Sequence, residues 1–178
     1  MEKTECKAAL AALEKAMEVE RQGKAFYEEA AARMQDEAGK AVFQNLAKDE
    51  VEHIRLLQAE YDQISKDSEW MELDEAKICE PQTPLKLFPD KREAALSLPA
   101  GAKDVDALKL AMDFEERGFK AYKKAQKDTH DPNGKKVYAF LAKMENNHYV
   151  FLLKTHDYLT NQGTWYFDEQ EFPMFDGG

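Results

Sequence analysis

The chain has 178 residues, of which 43% are hydrophobic and 34% charged, so it is long enough for one domain of ordinary size with a substantial core. Its net charge of -10, without any cluster of Lys and Arg, argues against nucleic acid or an anionic membrane as the main partner. The N-terminus has no basic stretch followed by an apolar one, and no later run approaches about 18 apolar residues, so we expect a soluble cytoplasmic protein.

Four amphipathic helices are predicted from apolar residues spaced three and four positions apart. Asp36 is a plausible N-cap of the second helix, and the matching Asp131 precedes Pro132, a residue favoured in the first turn of a helix. The four helices are expected over about residues 4–35, 36–65, 104–127 and 133–159.

Four prolines interrupt every helical period between residues 67 and 101, and we interpret this segment as a crossover between two helical hairpins. Helices of this length are about 45 Å long, so a connection along the whole bundle needs at least ~14 extended residues, and the segment is long enough. A four-helix bundle with one long crossover has the ferritin-like arrangement. A short helix over residues 92–98 is possible within the crossover.

We therefore predict an all-α protein with two regions. Residues 1–160 form a ferritin-like four-helix bundle of two duplicated hairpins joined by the crossover, and residues 161–178 form an aromatic and acidic C-terminal tail. The aromatic rings of this tail are expected to pack on the bundle or on a neighbouring subunit.

A carboxylate and an imidazole lie three residues apart inside an apolar helical stripe of the second helix. Positions i and i+3 share one face of a helix and differ by about 4.5 Å of rise, so Glu50 and His53 can reach the same metal ion. An unpaired carboxylate facing the core would be costly. The motif therefore predicts a compensating partner such as a metal.

The same motif recurs 95 residues later as Glu145 and His148. Aligning residues 13–64 with residues 108–159 without a gap gives 18 identities in 52 positions, against roughly 3 expected from average composition. The aligned pairs include Glu20 with Glu115, both inside apolar stripes. The chain is therefore predicted to be a duplicated helical hairpin.

One Glu from each of two helices and Glu-x-x-His from each of the other two is the ligand pattern of di-iron and di-manganese carboxylate bundles. Carboxylates with two imidazoles suit Fe(II) or Mn(II), and two metals bridged by carboxylates can share the two electrons that cleave an O–O bond. Tyr27 and Tyr122 are too far along their helices to bind the metal, and we interpret them as core residues that can also donate to a carboxylate. The predicted catalytic and metal-binding residues are Glu20, Glu50, His53, Glu115, Glu145 and His148.

These residues resemble the rubrerythrin branch of the ferritin-like superfamily over nearly the whole chain up to residue 160. The resemblance rests on Glu20 with Gly23 and Tyr27, on Glu115 with Gly118 and Tyr122, and on the two Glu-x-x-His motifs. It implies two iron ions, with manganese possible, a peroxide-reducing activity, and a homodimer or larger assembly.

The sequence departs from the family pattern in two places. Full-length rubrerythrins end in a rubredoxin domain with Cys-x-x-Cys pairs, which this sequence lacks, so electrons would come from a separate donor such as rubredoxin. Rubrerythrins also carry an extra glutamate one turn after the third-helix ligand, where this chain has Gly118. The remaining set of six ligands is closer to that of bacterioferritin.

Three functions are compatible with this pattern. The first is a peroxidase or oxidase that reduces peroxide or O₂ to water, and the second is a ferroxidase that oxidises Fe(II) and handles iron. The third is a metal-stabilised structural or interaction bundle without turnover.

Overall fold

The computed structural model describes residues 2–72 and 104–160 of the chain. They form four α-helices, which confirms the all-α fold class, and the helices begin and end close to their predicted limits. The possible helix over residues 92–98, the tail over residues 161–178 and most of the crossover lie outside the described residues. The helices are α1 (Lys3–Arg33), α2 (Glu37–Asp67), α3 (Asp104–Asp128) and α4 (Pro132–Thr160).

Two aspartates at equivalent positions of the duplication begin the second helix of each hairpin. The Asp36 carboxylate accepts a hydrogen bond from the Gly39 backbone N–H at 2.7 Å. The Asp131 carboxylate accepts from the Asn133 and Gly134 N–H groups at 2.8 and 3.2 Å. Each carboxylate satisfies N–H groups that the first helical turn leaves without an acceptor, so both predicted caps are confirmed.

Each hairpin is closely packed within itself, because most of the close backbone contacts between helices are between α1 and α2 and between α3 and α4. At one end of the bundle, the Asp104 carboxylate accepts from the Asp36 N–H at 3.1 Å, so α3 begins beside the turn between α1 and α2. At the other end, Trp70 after α2 packs edge-on against Tyr138 of α4. Helices α2 and α3 therefore run in the same direction, as the crossover prediction requires.

The core consists of two apolar clusters, one towards each end of the bundle. One includes Phe26, Phe43 and Leu108, and the other includes Leu13 and Leu57, all of them fully buried. Along every helix, the candidate metal-binding residues fall between members of the two clusters. Apolar packing therefore encloses the middle of the bundle from both ends.

None of the helices in the part of the chain that the structure describes is long and apolar enough to cross a membrane.

Candidate metal centre

Four carboxylates and two imidazoles meet in the middle of the bundle. One glutamate comes from α1 and one from α3, and a glutamate and a histidine one turn apart come from each of α2 and α4. All six side chains are buried, none of them more than 4% exposed. They are the six residues predicted from the sequence, Glu20, Glu50, His53, Glu115, Glu145 and His148.

His53 lies among three carboxylates from three different helices. Its Nδ1 is 3.2 Å from Glu50 Oε2 on the same helix and 3.5 Å from Glu20 Oε2 on α1. The same nitrogen is 3.6 Å from Glu145 Oε1 on α4. The Glu-x-x-His motif of the first hairpin is therefore in contact with a carboxylate of the second hairpin.

His148 occupies the corresponding position in the second hairpin. Its Nδ1 is 3.4 Å from Glu115 Oε2, and its Nε2 is 3.7 Å from Asp49 Oδ2 on α2. The rings of His148 and His53 stack with their centroids 5.4 Å apart. The duplicated motifs thus face each other across the bundle.

Donor atoms of these residues form two overlapping groups, each with its atoms within 4.8 Å of one another. Glu50 belongs to both groups, which is the position that a carboxylate bridging two metals would take. The first group contains Glu20, Glu50, His53 and Glu145, and the second contains Glu50, Glu115 and His148.

Burial raises the pKa of three of the four carboxyls, those of Glu50, Glu115 and Glu145, well above the ordinary value for a glutamate. The charge of Glu20 raises the pKa of Glu50 further, and the charge of Glu115 does the same for Glu145. Burial also acts to raise the pKa of Glu20, but hydrogen bonds with Glu50 and His53 outweigh it, so that this pKa is lowered. Such an environment favours the protonated form of these three carboxyls unless a cation neutralises the cluster.

Burial acts to lower the pKa of His53, yet the hydrogen bond with Glu20 and the charges of nearby carboxylates outweigh it and raise this pKa. The imidazole is therefore in an environment that favours positive charge. A bound metal cation would satisfy the same environment, with the imidazole neutral and acting as a ligand.

Two tyrosine hydroxyls donate to carboxylates of the opposite hairpin. Tyr27 of α1 donates to Glu115 Oε1 of α3, and Tyr122 of α3 donates to Glu20 Oε1 of α1. Tyr27 is too far along α1 from Glu20 to donate to it. Because α1 and α3 are antiparallel, Tyr27 instead lies level with Glu115 of α3. The sequence predicted carboxylate partners for the tyrosines without predicting that the partners are exchanged between hairpins.

Two glycines at equivalent positions face the glutamates of the Glu-x-x-His motifs. A Cβ atom placed on Gly23 would lie 3.5 Å from Glu50 Cδ, an ordinary van der Waals distance. A Cβ on Gly118 would overlap Glu145 Oε2 and lie 3.1 Å from Glu145 Cδ. The absence of a side chain at Gly118 therefore allows the Glu145 carboxylate to occupy its position.

Several buried polar atoms of the cluster have no hydrogen-bond partner among residues 2–72 and 104–160. They are His53 Nε2, Glu115 Oε2, Glu145 Oε1 and both ring nitrogens of His148. The distance between His148 Nδ1 and Glu115 Oε2 is within ion-pair range, although the geometry is not that of a hydrogen bond. Buried polar atoms are rarely left unpaired, so this donor set fits hard divalent cations.

Two further acidic residues that point into the bundle were not predicted from the sequence. Asp49 approaches His148 from α2, as described above, and Glu60 is fully buried near the end of α2. Glu60 lies seven residues after His53 and so on the same helix face, which was the available signal. Of the other two histidines, His130 is exposed, and His156 contacts Asp157 at 3.3 Å outside the cluster.

Two solved structures resemble this fold. A hypothetical protein from Pyrococcus furiosus shares 23% identity with a TM-score of 0.64, and the match covers 88% of this chain and 93% of that one. A two-domain protein from Anabaena variabilis, with DJ-1/ThiJ/PfpI-like and ferritin-like domains, shares 16% identity with a TM-score of 0.67. That match covers 88% of this chain and 41% of the other. The predicted ferritin-like fold is confirmed.

The family model described as Rubrerythrin matches residues 11–156. The chain belongs to the rubrerythrin family, as the resemblance of its motifs predicted. Among curated proteins, none matches the sequence significantly.

Proposed function

We propose that the protein is a non-haem di-iron oxidoreductase that reduces hydrogen peroxide or O₂ to water with electrons from a separate redox partner. The observation that supports this most directly is the buried cluster of four carboxylates and two imidazoles, arranged in two groups that share Glu50. Membership of the rubrerythrin family supports the same class of chemistry.

The six residues of the cluster would hold two iron ions, or two manganese ions, with one histidine for each. The ions would supply the two electrons that reductive cleavage of an O–O bond requires. Glu20 and Glu115 each accept a hydrogen bond from a tyrosine, and such a bond fixes the orientation of a carboxylate ligand. The apolar clusters on either side exclude water from the centre, which strengthens the electrostatic interactions within it.

The electron donor in this proposal is a small redox protein such as rubredoxin. The 178 residues contain two cysteines, Cys6 and Cys79, and no Cys-x-x-Cys pair that would bind a rubredoxin-type iron. The electrons would therefore come from outside these 178 residues.

Anaerobic reconstitution with Fe(II), followed by metal analysis and mixing with H₂O₂, tests site and chemistry together. We expect about two iron ions per chain and reoxidation of the reduced protein that consumes one peroxide per two electrons. Repeated turnover in the presence of reduced rubredoxin would identify a peroxidase. A protein that binds neither iron nor manganese would contradict the proposal.

A ferroxidase is the second candidate. Gly118 has no side chain beside Glu145, so the centre has six predicted ligands, a set closer to that of bacterioferritin than to that of rubrerythrins. In that case the protein would oxidise Fe(II) and accumulate iron beyond the two ions of the centre. Iron loading in air distinguishes the two functions. Bound metal without either reaction would instead identify a structural role.

A further inference from the structure

A groove with a volume of about 930 Å³ runs between α1 and α3. It extends from Thr4 to Val19 along α1, a length of about 22 Å. The volume falls in the range of pockets that bind small organic molecules, about 300 to 1,000 Å³. Its walls are mainly short apolar side chains, including Ala9, Ala12, Ala16, Val19, Ala121 and Ala125.

The internal duplication explains why the groove is present at one end of the bundle. At the other end, Phe26 of α1 and Phe114 of α3 stack with their ring centroids 6.1 Å apart. Their counterparts in the duplication are Ala121 and Val19, both of which line the groove. Two small residues thus replace a pair of aromatic rings and leave the space open.

The groove borders the candidate metal centre at its inner end. Gly118 lines the groove and packs against the carboxylate of Glu145. Tyr122 also lines the groove and donates a hydrogen bond to Glu20. A molecule in the groove would therefore lie beside two residues that contact carboxylates of the centre.

We propose that the groove binds the organic part of a hydroperoxide, so that the substrate class includes organic hydroperoxides with an apolar body. This inference rests on the proposed peroxidase function. The reaction is ROOH + 2 e⁻ + 2 H⁺ → ROH + H₂O, in which the O–O bond breaks and the reduced redox partner is oxidised. An alkyl or aryl group in the groove would be removed from water, which favours binding. Hydrogen peroxide has no apolar part, so the apolar lining would not strengthen its binding.

The groove can be filled with the side chains that the other end of the bundle already accommodates. Val19→Phe combined with Ala121→Phe recreates the aromatic pair, and Ala121→Phe alone provides a second variant with less added volume. Val51→Phe is the matched control, because Val51 is an exposed valine on α2 and does not line the groove. Circular dichroism would establish that each variant is folded.

The first measurement compares turnover of cumene hydroperoxide and H₂O₂ by the iron-loaded protein. We expect the double variant to lose at least ten-fold in kcat/KM for cumene hydroperoxide and to retain its H₂O₂ activity, and Val51→Phe to change neither. Equal loss for both peroxides, or no loss for cumene hydroperoxide, would overturn the inference.

The second measurement detects binding without turnover. Trp70 lines the groove, and replacing Trp165 with Phe leaves Trp70 as the only tryptophan of the chain. Cumyl alcohol, the product of cumene hydroperoxide, should change the Trp70 fluorescence of the metal-free protein in a saturable way, and the double variant should abolish this change.

The two proposals fail in distinguishable ways. Reduction of H₂O₂ without reduction of cumene hydroperoxide and without binding of cumyl alcohol would overturn only the groove assignment. The same result is expected if a second copy of the chain or residues 73–103 fill the groove. Absence of activity with both peroxides would overturn the proposed function, and the groove assignment as a peroxide site with it.

Discussion

Tyr27 and Tyr122 connect the two hairpins at the candidate metal centre, since each donates a hydrogen bond to a carboxylate of the other hairpin. At the scale of single residues, the centre therefore combines contacts within each hairpin, such as His53 with Glu50, with pairs that cross between the hairpins. His53 approaches Glu145 in the same way. Loss of one side chain should consequently affect both halves of the site.

Replacing Glu50 or Glu145 with Ala should remove most of the metal content while the protein remains helical. Both are buried, and Glu50 belongs to both groups of donor atoms. Metal analysis after reconstitution and far-UV circular dichroism measure the two effects. Glu52→Ala is the control, because Glu52 bonds to Arg55 on the surface of the same helix. Retention of two metals per chain in both centre variants would contradict the assignment.

Replacing Tyr122 with Phe should weaken metal binding by about 10-fold or more, because Glu20 loses the donor that orients it. The phenyl ring keeps the packing, so the fold should be maintained. Competitive titration with a chelator measures the affinity. The matched control is Tyr61→Phe, which removes a hydroxyl that donates to Glu14 at 2.9 Å outside the centre. Equal affinities in the two variants would show that the Tyr122 hydroxyl has no orienting role.

At the scale of helices, close approach of neighbouring elements decides the shape of the centre and of the bundle ends. Gly118 of α3 allows Glu145 of α4 to lie against its backbone. After α2, the chain folds back so that the Met71 N–H donates to the Glu60 carboxylate at 3.1 Å. The first feature depends on how two helices meet, and the second depends on the path of the chain after α2.

Alanine at the two equivalent glycines should have different consequences. Gly23→Ala should leave metal binding unchanged and stabilise α1 by about 0.5 to 1 kcal/mol, because alanine favours the helix and its Cβ meets Glu50 at an ordinary distance. Gly118→Ala should displace the Glu145 carboxylate and lower the metal content. Thermal unfolding of the metal-free forms and metal analysis test the pair, and equal metal content in both variants would refute the steric argument.

Glu60→Gln should stabilise the protein above pH 7. Burial raises the pKa of Glu60 from 4.5 to about 7, against the smaller lowering effect of its hydrogen bond from Met71. A raised carboxyl pKa contributes stability that is present below pH 4.5 and lost as the pH rises through about 7. Glutamine does not ionise, so the variant does not lose this stability. At pH 8 its free energy of unfolding should exceed that of the unsubstituted protein by about 3 kcal/mol.

Urea unfolding between pH 5 and 8 would measure the difference, which should shrink towards acidic pH. The control Glu52→Gln replaces a carboxylate on the surface of the same helix, where it accepts a hydrogen bond from Arg55. A difference that stays constant with pH would contradict the proposed titration of Glu60.

At the scale of the whole molecule, the metal-free bundle encloses repelling carboxylates between two apolar clusters. We expect this form to be folded and to become more stable as the pH falls from neutral to mildly acidic values. The folded-state pKa is raised for Glu50, Glu115 and Glu145. The protonated form of each carboxyl therefore stabilises the fold, and this contribution is lost as the pH rises through the folded-state pKa. The lowered pKa of Glu20 acts in the opposite direction.

Adding Fe(II) at neutral pH should raise the midpoint of thermal unfolding and remove most of this pH dependence, because the cation takes the place of the protons. Thermal unfolding with and without Fe(II) at several pH values measures both effects. Metal-free protein whose stability did not increase on mild acidification would contradict this account of the centre.

The sequence by itself determined the four helices, their caps, the duplication and the six residues of the candidate centre. These features are local, or they repeat at a fixed spacing of 95 residues, so periodicity and motif spacing are sufficient to predict them. Asp36 illustrates this, because an N-cap satisfies N–H groups only a few residues away.

Only the tertiary structure decided which side chains of different hairpins meet. The exchange of tyrosine partners follows from the antiparallel direction of α1 and α3, and the burial of Glu60 follows from the fold of residues after α2. The groove exists because Ala121 and Val19 face each other across the α1–α3 interface. Helical periodicity fixes which face of a helix is apolar, whereas the partner of that face depends on the relative position and direction of helices far apart in sequence.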